Sequence, residues 1–199
     1  MTYRMIHFTK VSCFVGDKMK ILFISLGCDK NLVDSEHMIG LLEKAGYEFT
    51  SDETEADIII INSCSFIKDA KEESIETIFN MARMKEEGNC KALVLAGCLA
   101  QRYHEEIKDE IPEIDIVVGT TAIDDIVTIV EDYFNKNEKM ILTYLETHDW
   151  LTNAAAREIV HVGTTAARSL LNGLVDRGYL RAEGENRGRK YYLAAKRPR

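Results

Sequence analysis

Apolar residues gather along this chain in short unbroken runs, separated by stretches in which they recur every three or four positions. KILFISL (20–26), DIIIINS (57–63), KALVLAG (91–97) and DIVVG (115–119) are runs of strand length. They are continuous rather than alternating, as expected of strands covered on both faces. Between them, Leu32, Val33, Ile39, Leu42 and Ala45 fall at helical spacing in 31–45, with Asp34 and Glu36 in the first turn and Gly46 ending the helix. Ile75, Ile78, Phe79 and Ala82 form a second stripe before Gly88. A short helix stops at Pro112, and Ile123, Ile126, Val127 and Val130 form a third stripe. Strand and helix alternate, so residues 19–135 are expected to form an α/β domain with an open, doubly wound parallel sheet.

The period changes after Asn135, where NKNEK is expected as a minimal polar linker to a second domain, 136–199. Met140, Ile141, Tyr144 and Leu145 predict one amphipathic helix, and Thr152 is the expected cap of another running to about Val160. After a turn at His161, Val162 and Gly163, Thr164 is the expected cap of a third helix. Its Ala167, Leu170, Leu171 and Leu174 would face the core, with Thr165, Arg168, Ser169 and Asn172 outward. YLRAE and RKYYLA alternate around GENRG, predicting a β-hairpin. Three helices followed by a basic hairpin is the pattern of a small winged helix-turn-helix domain.

Charge separates the same two pieces. The whole chain carries −8, but from Lys139 onward 11 Lys and Arg stand against 6 Asp and Glu, leaving the first piece strongly acidic. A basic module on an acidic body suggests two different kinds of partner. No apolar run approaches the roughly 20 residues of a membrane helix. The extension 1–18 lacks the continuous apolar core of a secretory signal, so a cytoplasmic address and no membrane partner are expected. In that reducing setting five cysteines without a close CxxC pair are free thiols or metal ligands rather than a disulfide framework.

Three of those cysteines share a structural address. Cys28, Cys64 and Cys98 each follow a predicted strand, and the carboxyl ends of parallel strands lie along one edge, where ligands bind. Gly27 and Gly97 each precede a cysteine and would let the backbone approach a bulky inorganic group. Three thiolates can hold three irons of a [4Fe–4S] cluster and leave the fourth open. A zinc site with an open position, or simply buried thiols, are the alternatives. Cys90 enters its strand from the opposite end and Cys13 lies in the extension, so both are expected to be structural or incidental. The expected fold is flavodoxin-like, which allows a flavin carrier, yet GCDKN after the first strand lacks the hydroxyl and glycine run that cradles a flavin phosphate. No aspartate ends DIIIINS, which argues against a phosphorylated receiver.

LGCDKNLVDSE (26–36), EADIIIINSCSFI (55–67), AKEESI (70–75), GCLAQRY (97–103) and EIPEIDIVVGT (110–120) resemble the N-terminal domain of the radical-SAM methylthiotransferases over about residues 19–135. The first segment resembles the RimO-like branch, which modifies an aspartate of a ribosomal small-subunit protein, rather than the branch that modifies adenosine in tRNA. The resemblance implies a transferase in which Cys28, Cys64 and Cys98 carry an auxiliary [4Fe–4S] cluster. It also implies that Asn31, Asn62, Gln101 and Arg102 hold the adjoining loops or the substrate. A full member continues into a radical-SAM barrel with a CxxxCxxC motif, and no cysteine follows Cys98 here. S-adenosylmethionine chemistry is therefore expected only with a separate radical-SAM domain, and the chain is not expected to complete methylthiotransfer alone. The alternative is a winged-helix DNA-binding regulator with an iron–sulfur or redox-sensing α/β domain. In it Thr164, Thr165, Arg168 and Asn172 would meet double-stranded DNA in the major groove, and Arg187, Arg189 and Lys190 its backbone.

Overall fold

The computed structural model describes residues 19–66, 68–185 and 188–194. The expected architecture is present: a parallel α/β sheet with helices on both faces, followed by helices and a small antiparallel sheet.

Strands β1 (Lys20–Ser25), β2 (Glu48–Phe49), β3 (Ile58–Ser63), β4 (Ala92–Gly97) and β5 (Ile116–Val118) form a five-stranded sheet in the order β2-β1-β3-β4-β5. Every pairing is parallel. The burial of β3 and β4 explains their unbroken apolar runs, since every residue of both is inaccessible. Ile58 and Ile60 pack on one side, where α1 (Asp29–Lys44) and α6 (Ile126–Thr147) supply Met38, Leu42, Ile126 and Val130. Ile59 and Ile61 pack on the other, against Ile78 and Met81 of α2 (Lys68–Ala82) and residues of α4 (Cys98–Arg102) and α5 (His104–Glu110). The one-turn helix α3 (Met84–Glu87) precedes β4. Chain order reverses between β1 and β3, the position at which an open α/β sheet opens a crevice beyond its strand ends.

The buried face of α1 differs from the expected one. Leu32 and Val33 are exposed, and the inward positions are Asn31, Ser35, Met38 and Leu42. The helix starts at Asp29, so Asp34 and Glu36 lie beyond its first turn. In α2, likewise, Ser74 is inside and Phe79 outside. At both places small polar side chains face the sheet because they bond to strand-end backbone, which displaces the apolar stripe.

The polar run 135–139 is not a linker. It lies inside α6, a single helix of 22 residues, about 33 Å long at 1.5 Å per residue. Its first half gives Ile126, Val130 and Phe134 to the α/β core, and its second half gives Ile141 and Leu145 to the C-terminal core. Asn137 and Glu138 are buried between, and Glu138 accepts from the Arg177 guanidinium at 2.5 Å. A paired acid tolerates burial that an unpaired one would not.

Beyond α6 come β6 (Leu151–Thr152), α7 (Asn153–Val160), α8 (Thr164–Asp176), β7 (Leu180–Glu183) and β8 (Lys190–Leu193), the strands pairing antiparallel in the order β6-β8-β7. Thr152 caps α7 as expected, its hydroxyl accepting from the Ala155 N–H at 3.3 Å. The cap of α8 is Gly163 rather than Thr164. The extended Gly163 already supplies the turn, so Thr164 is the first helical residue.

Candidate metal centre at the carboxyl edge of the sheet

Cys28 follows β1 and caps α1, Cys64 follows β3, and Cys98 follows β4 as the first residue of α4. All three leave the carboxyl edge, two of them flanking the reversal of strand order. Asn31 ties the three loops together. Fully buried on α1, it donates through Nδ2 to the Leu26 carbonyl at 2.8 Å, two residues before Cys28, and to the Ser63 carbonyl at 2.9 Å, directly before Cys64. Its Oδ1 accepts from the Cys98 thiol at 3.7 Å.

A second buried layer holds Asn31 in turn. Asn62 donates to the Asn31 carbonyl and to Ser35 Oγ, both at 2.9 Å, and Ser35 lies 2.8 Å from Ser25 Oγ. On the other side Ser74 accepts the Cys64 N–H at 3.2 Å and donates to the Ala70 carbonyl at 2.8 Å, fixing the backbone of that cysteine to α2. Sequence reasoning missed Ser25, Ser35 and Ser74. The available signal was a small hydroxyl residue on what should be an apolar helix face, at i+4 from Asn31 in the case of Ser35.

The glycines before the cysteines are required by space. Gly27 adopts φ +97°, and a Cβ there would stand 2.4 Å from Cys64 Cβ. At Gly97, with φ +93°, it would stand 2.3 Å from Asn62 Oδ1 and 2.5 Å from the Ser63 carbonyl. That Asn62 oxygen is buried without a hydrogen-bond partner.

The electrostatics differ from thiol to thiol. The N–H groups of Asn31 and Lys30, at the start of α1, draw the exposed Cys28 thiol below its ordinary value. Burial pushes Cys98 up, the Lys30 ammonium opposes it, and the neighbouring Cys64 and Cys28 push it further. Lys30, which also pairs with Asp34, is therefore the cation of this site, and sequence reasoning had not singled it out. Among the described residues no three His, Cys, Asp or Glu side chains already close on one metal ion. A single zinc would need its sulfurs within about 4 Å of one another. Asn31 touches the Cys98 thiol and the backbone of the loops that carry Cys28 and Cys64, and three thiols at one sheet edge are the donor set that an iron–sulfur cluster takes.

Gln101 and Arg102 lie exposed on α4. Gln101 accepts from Thr121 Oγ1 at 3.5 Å and packs on Gly119 after β5, while the Arg102 guanidinium lies 5.8 Å from the Tyr103 ring. Neither bonds to a cysteine. In the C-terminal part Thr164 is exposed, whereas Thr165, Arg168 and Asn172 line a cleft of about 1190 Å³ between α8 and the amino edge of the sheet. Lys20, Glu48, Glu55 and Asp57 stand across it. Lys190 sits 3.9 Å over the Trp150 ring and Arg189 5.4 Å from the Tyr191 ring. Arg187 lies outside the described residues.

A flavodoxin-like sheet with three cysteines on its carboxyl edge defines a class of cysteine-bearing α/β domain. The profile described as "Uncharacterized protein family UPF0004" matches residues 20–119, and the chain belongs to that family. It is 60% identical over 113 residues to the ribosomal protein uS12 methylthiotransferase RimO of Lachnoclostridium phytofermentans, covering 57% of this chain and 26% of the relative. To the enzyme of the same name from Trichlorobacter lovleyi it is 59% identical over 103 residues, 52% of this chain and 23% of the relative. To that of Acetivibrio thermocellus it is 55% identical over 123 residues, 61% of this chain and 27% of the relative. The chain thus spans about a quarter of the length of these curated relatives. The shared part is a methylthiotransferase N-terminal domain. Among the described residues no helix is long and apolar enough to cross a membrane.

Proposed function

We propose that residues 19–135 are the iron–sulfur-binding N-terminal part of a cytoplasmic methylthiotransferase acting on an aspartate of the ribosomal small-subunit protein uS12, with Cys28, Cys64 and Cys98 as the cluster ligands. The observation that carries this is the Asn31 side chain, which contacts the loops of all three cysteines at once. A bound [4Fe–4S] cluster would supply an iron open to the sulfur that is transferred. The protein's own part is to hold the three loops in register. Asn31 and Asn62 set the loops after β1 and β3, Ser74 sets the Cys64 backbone, and Gly27 and Gly97 keep side chains out of the space between them. In this reading the cleavage of S-adenosylmethionine is assigned to a radical-SAM domain carrying CxxxCxxC, a motif these 199 residues do not contain.

The test is anaerobic reconstitution with iron and sulfide. Serine at Cys28, Cys64 or Cys98 is expected to cut bound iron to less than about half, while serine at Cys90 leaves it unchanged. Full iron retention in the triple serine variant overturns the assignment.

We read helix α7, the turn at 161–163, helix α8 and the β7–β8 hairpin as the elements of a winged helix-turn-helix domain within residues 136–199, its first helix being the second half of α6. In the duplex-DNA reading α8 enters the major groove, which requires the cleft against Glu48, Glu55 and Asp57 to open. Fluorescence anisotropy with duplex DNA across a salt series tests this. Binding that is independent of salt or of Arg168→Ala removes α8 as the reader.

A further inference from the structure

The small sheet β6-β8-β7 has two unlike faces. Tyr191 is buried, opposite Leu151 and Ala182 in register, and turns one face into the C-terminal core. Alternation sends Lys190 and Tyr192 to the other face, where their register partners are Glu183 and Arg181. There the Arg181 guanidinium lies 4.4 Å over the Tyr192 ring, and the Lys190 ammonium lies 3.9 Å over Trp150, which is 44% exposed. Glu183, also on this face, is paired with Arg181. From Gly178 through Arg199 the chain has seven basic residues and two acidic ones. Aromatic rings alternating with cations on an open sheet form a stacking platform with phosphate-binding groups beside it. The α8 face, by contrast, looks into a cleft whose far wall holds Glu48, Glu55 and Asp57 with Lys20 and Lys91, Lys20 pairing with Glu55 and Lys91 with Asp57, so that wall offers a polyanion no surplus of positive charge.

We propose that this outer sheet face binds an unpaired nucleic-acid strand, with bases stacking at Trp150 and Tyr192 and phosphates held by Arg181 and Lys190. The proposal does not depend on the metal centre. A single-stranded RNA and a single-stranded DNA offer the same chemistry, and the experiment distinguishes them by using both.

Trp150 is the chain's only tryptophan, so its emission reports on the site directly. Titrating the full chain with a 12-nucleotide oligo-dT or oligo-rU should quench Trp150 fluorescence, more strongly at low salt. By anisotropy with labelled oligonucleotide, Trp150→Ala should weaken binding about tenfold or more, whereas Trp150→Phe, which keeps a ring, should bind nearly as the parent does. Arg181→Gln and Lys190→Gln, both near the surface, should each reduce the slope of log K against log salt by about 0.7. Absence of quenching with both oligonucleotides at low salt overturns the proposal, as does a salt slope unchanged in both glutamine variants. Equal affinity for a duplex that Arg168→Ala abolishes also overturns it and returns the binding surface to α8.

Discussion

At the scale of single residues, the carboxyl edge depends on atoms that are small rather than reactive. Gly97 has φ +93° and ψ −157°, a region essentially restricted to glycine, and its missing Cβ is the space that Asn62 Oδ1 and the Ser63 carbonyl occupy. Gly46 also has positive φ, but nothing lies within 4 Å of where its Cβ would be. Gly97→Ala is therefore expected to cost at least about 3 kcal/mol in urea unfolding and to lower iron uptake. Gly46→Ala should cost only about 1–2 kcal/mol and leave iron uptake intact. Equal losses at the two positions would mean that backbone strain alone matters and the close approach does not.

Cys90 gives a prediction in pH. Burial pushes its thiol up to about 12, against a weaker downward pull from Lys85. Because the folded value lies above the unfolded one, its contribution to stability is complete below about 9 and is lost as pH rises toward about 12. Tyr47, also raised by burial to about 12, acts with the same sign. Unfolding free energy measured across this range should fall with pH, and Cys90→Ala should flatten the decline without removing it. Iodoacetamide should modify Cys28, with its lowered thiol, well before Cys90.

At the scale of elements, legibility followed burial. Strands β3 and β4 were readable because every position in them is covered, so side-chain chemistry reports the environment without ambiguity. Strands β2 and β6, two residues each, carry no periodic signal and were missed. The cysteine positions were readable from topology, but the side chains that arrange them were not. Asn31 drew attention only as a motif position, and Ser35 and Ser74 not at all, because a buried polar group is recognisable only by partners distant in sequence. The same reason hid the middle of α6, where Asn137 and Glu138 imitate a linker until Arg177 is seen beside Glu138. Lys136→Pro, at an exposed position of that helix, tests the point. It should cost about 3 kcal/mol or more and split one thermal unfolding transition into two, whereas in a linker it would be nearly silent.

At the scale of the molecule, the cysteine edge and the α8 cleft occupy opposite ends of the same sheet strands. The acidic and basic halves meet at the cleft, with Lys20, Lys91 and Arg168 among its cations and Glu48, Glu55 and Asp57 among its anions. The motif CxxxCxxC does not occur in these 199 residues. Incubating the reconstituted chain with S-adenosylmethionine and a strong reductant is therefore expected to yield no 5′-deoxyadenosine by chromatography. Adding a radical-SAM domain in trans should be required for any turnover, and cleavage by this chain alone would refute that division of labour.

Helix α6 also governs how the molecule can be taken apart. A gene cut at codon 135 would saw through a beam that both cores rest on, leaving Ile141 and Leu145 on one fragment and Ile126 and Val130 on the other. A fragment beginning at residue 139 would lack the Glu138 carboxylate that Arg177 meets. Expression boundaries that respect the architecture must give the whole helix to both pieces. Two such overlapping fragments, mixed together, would compete for the single place that one beam fills.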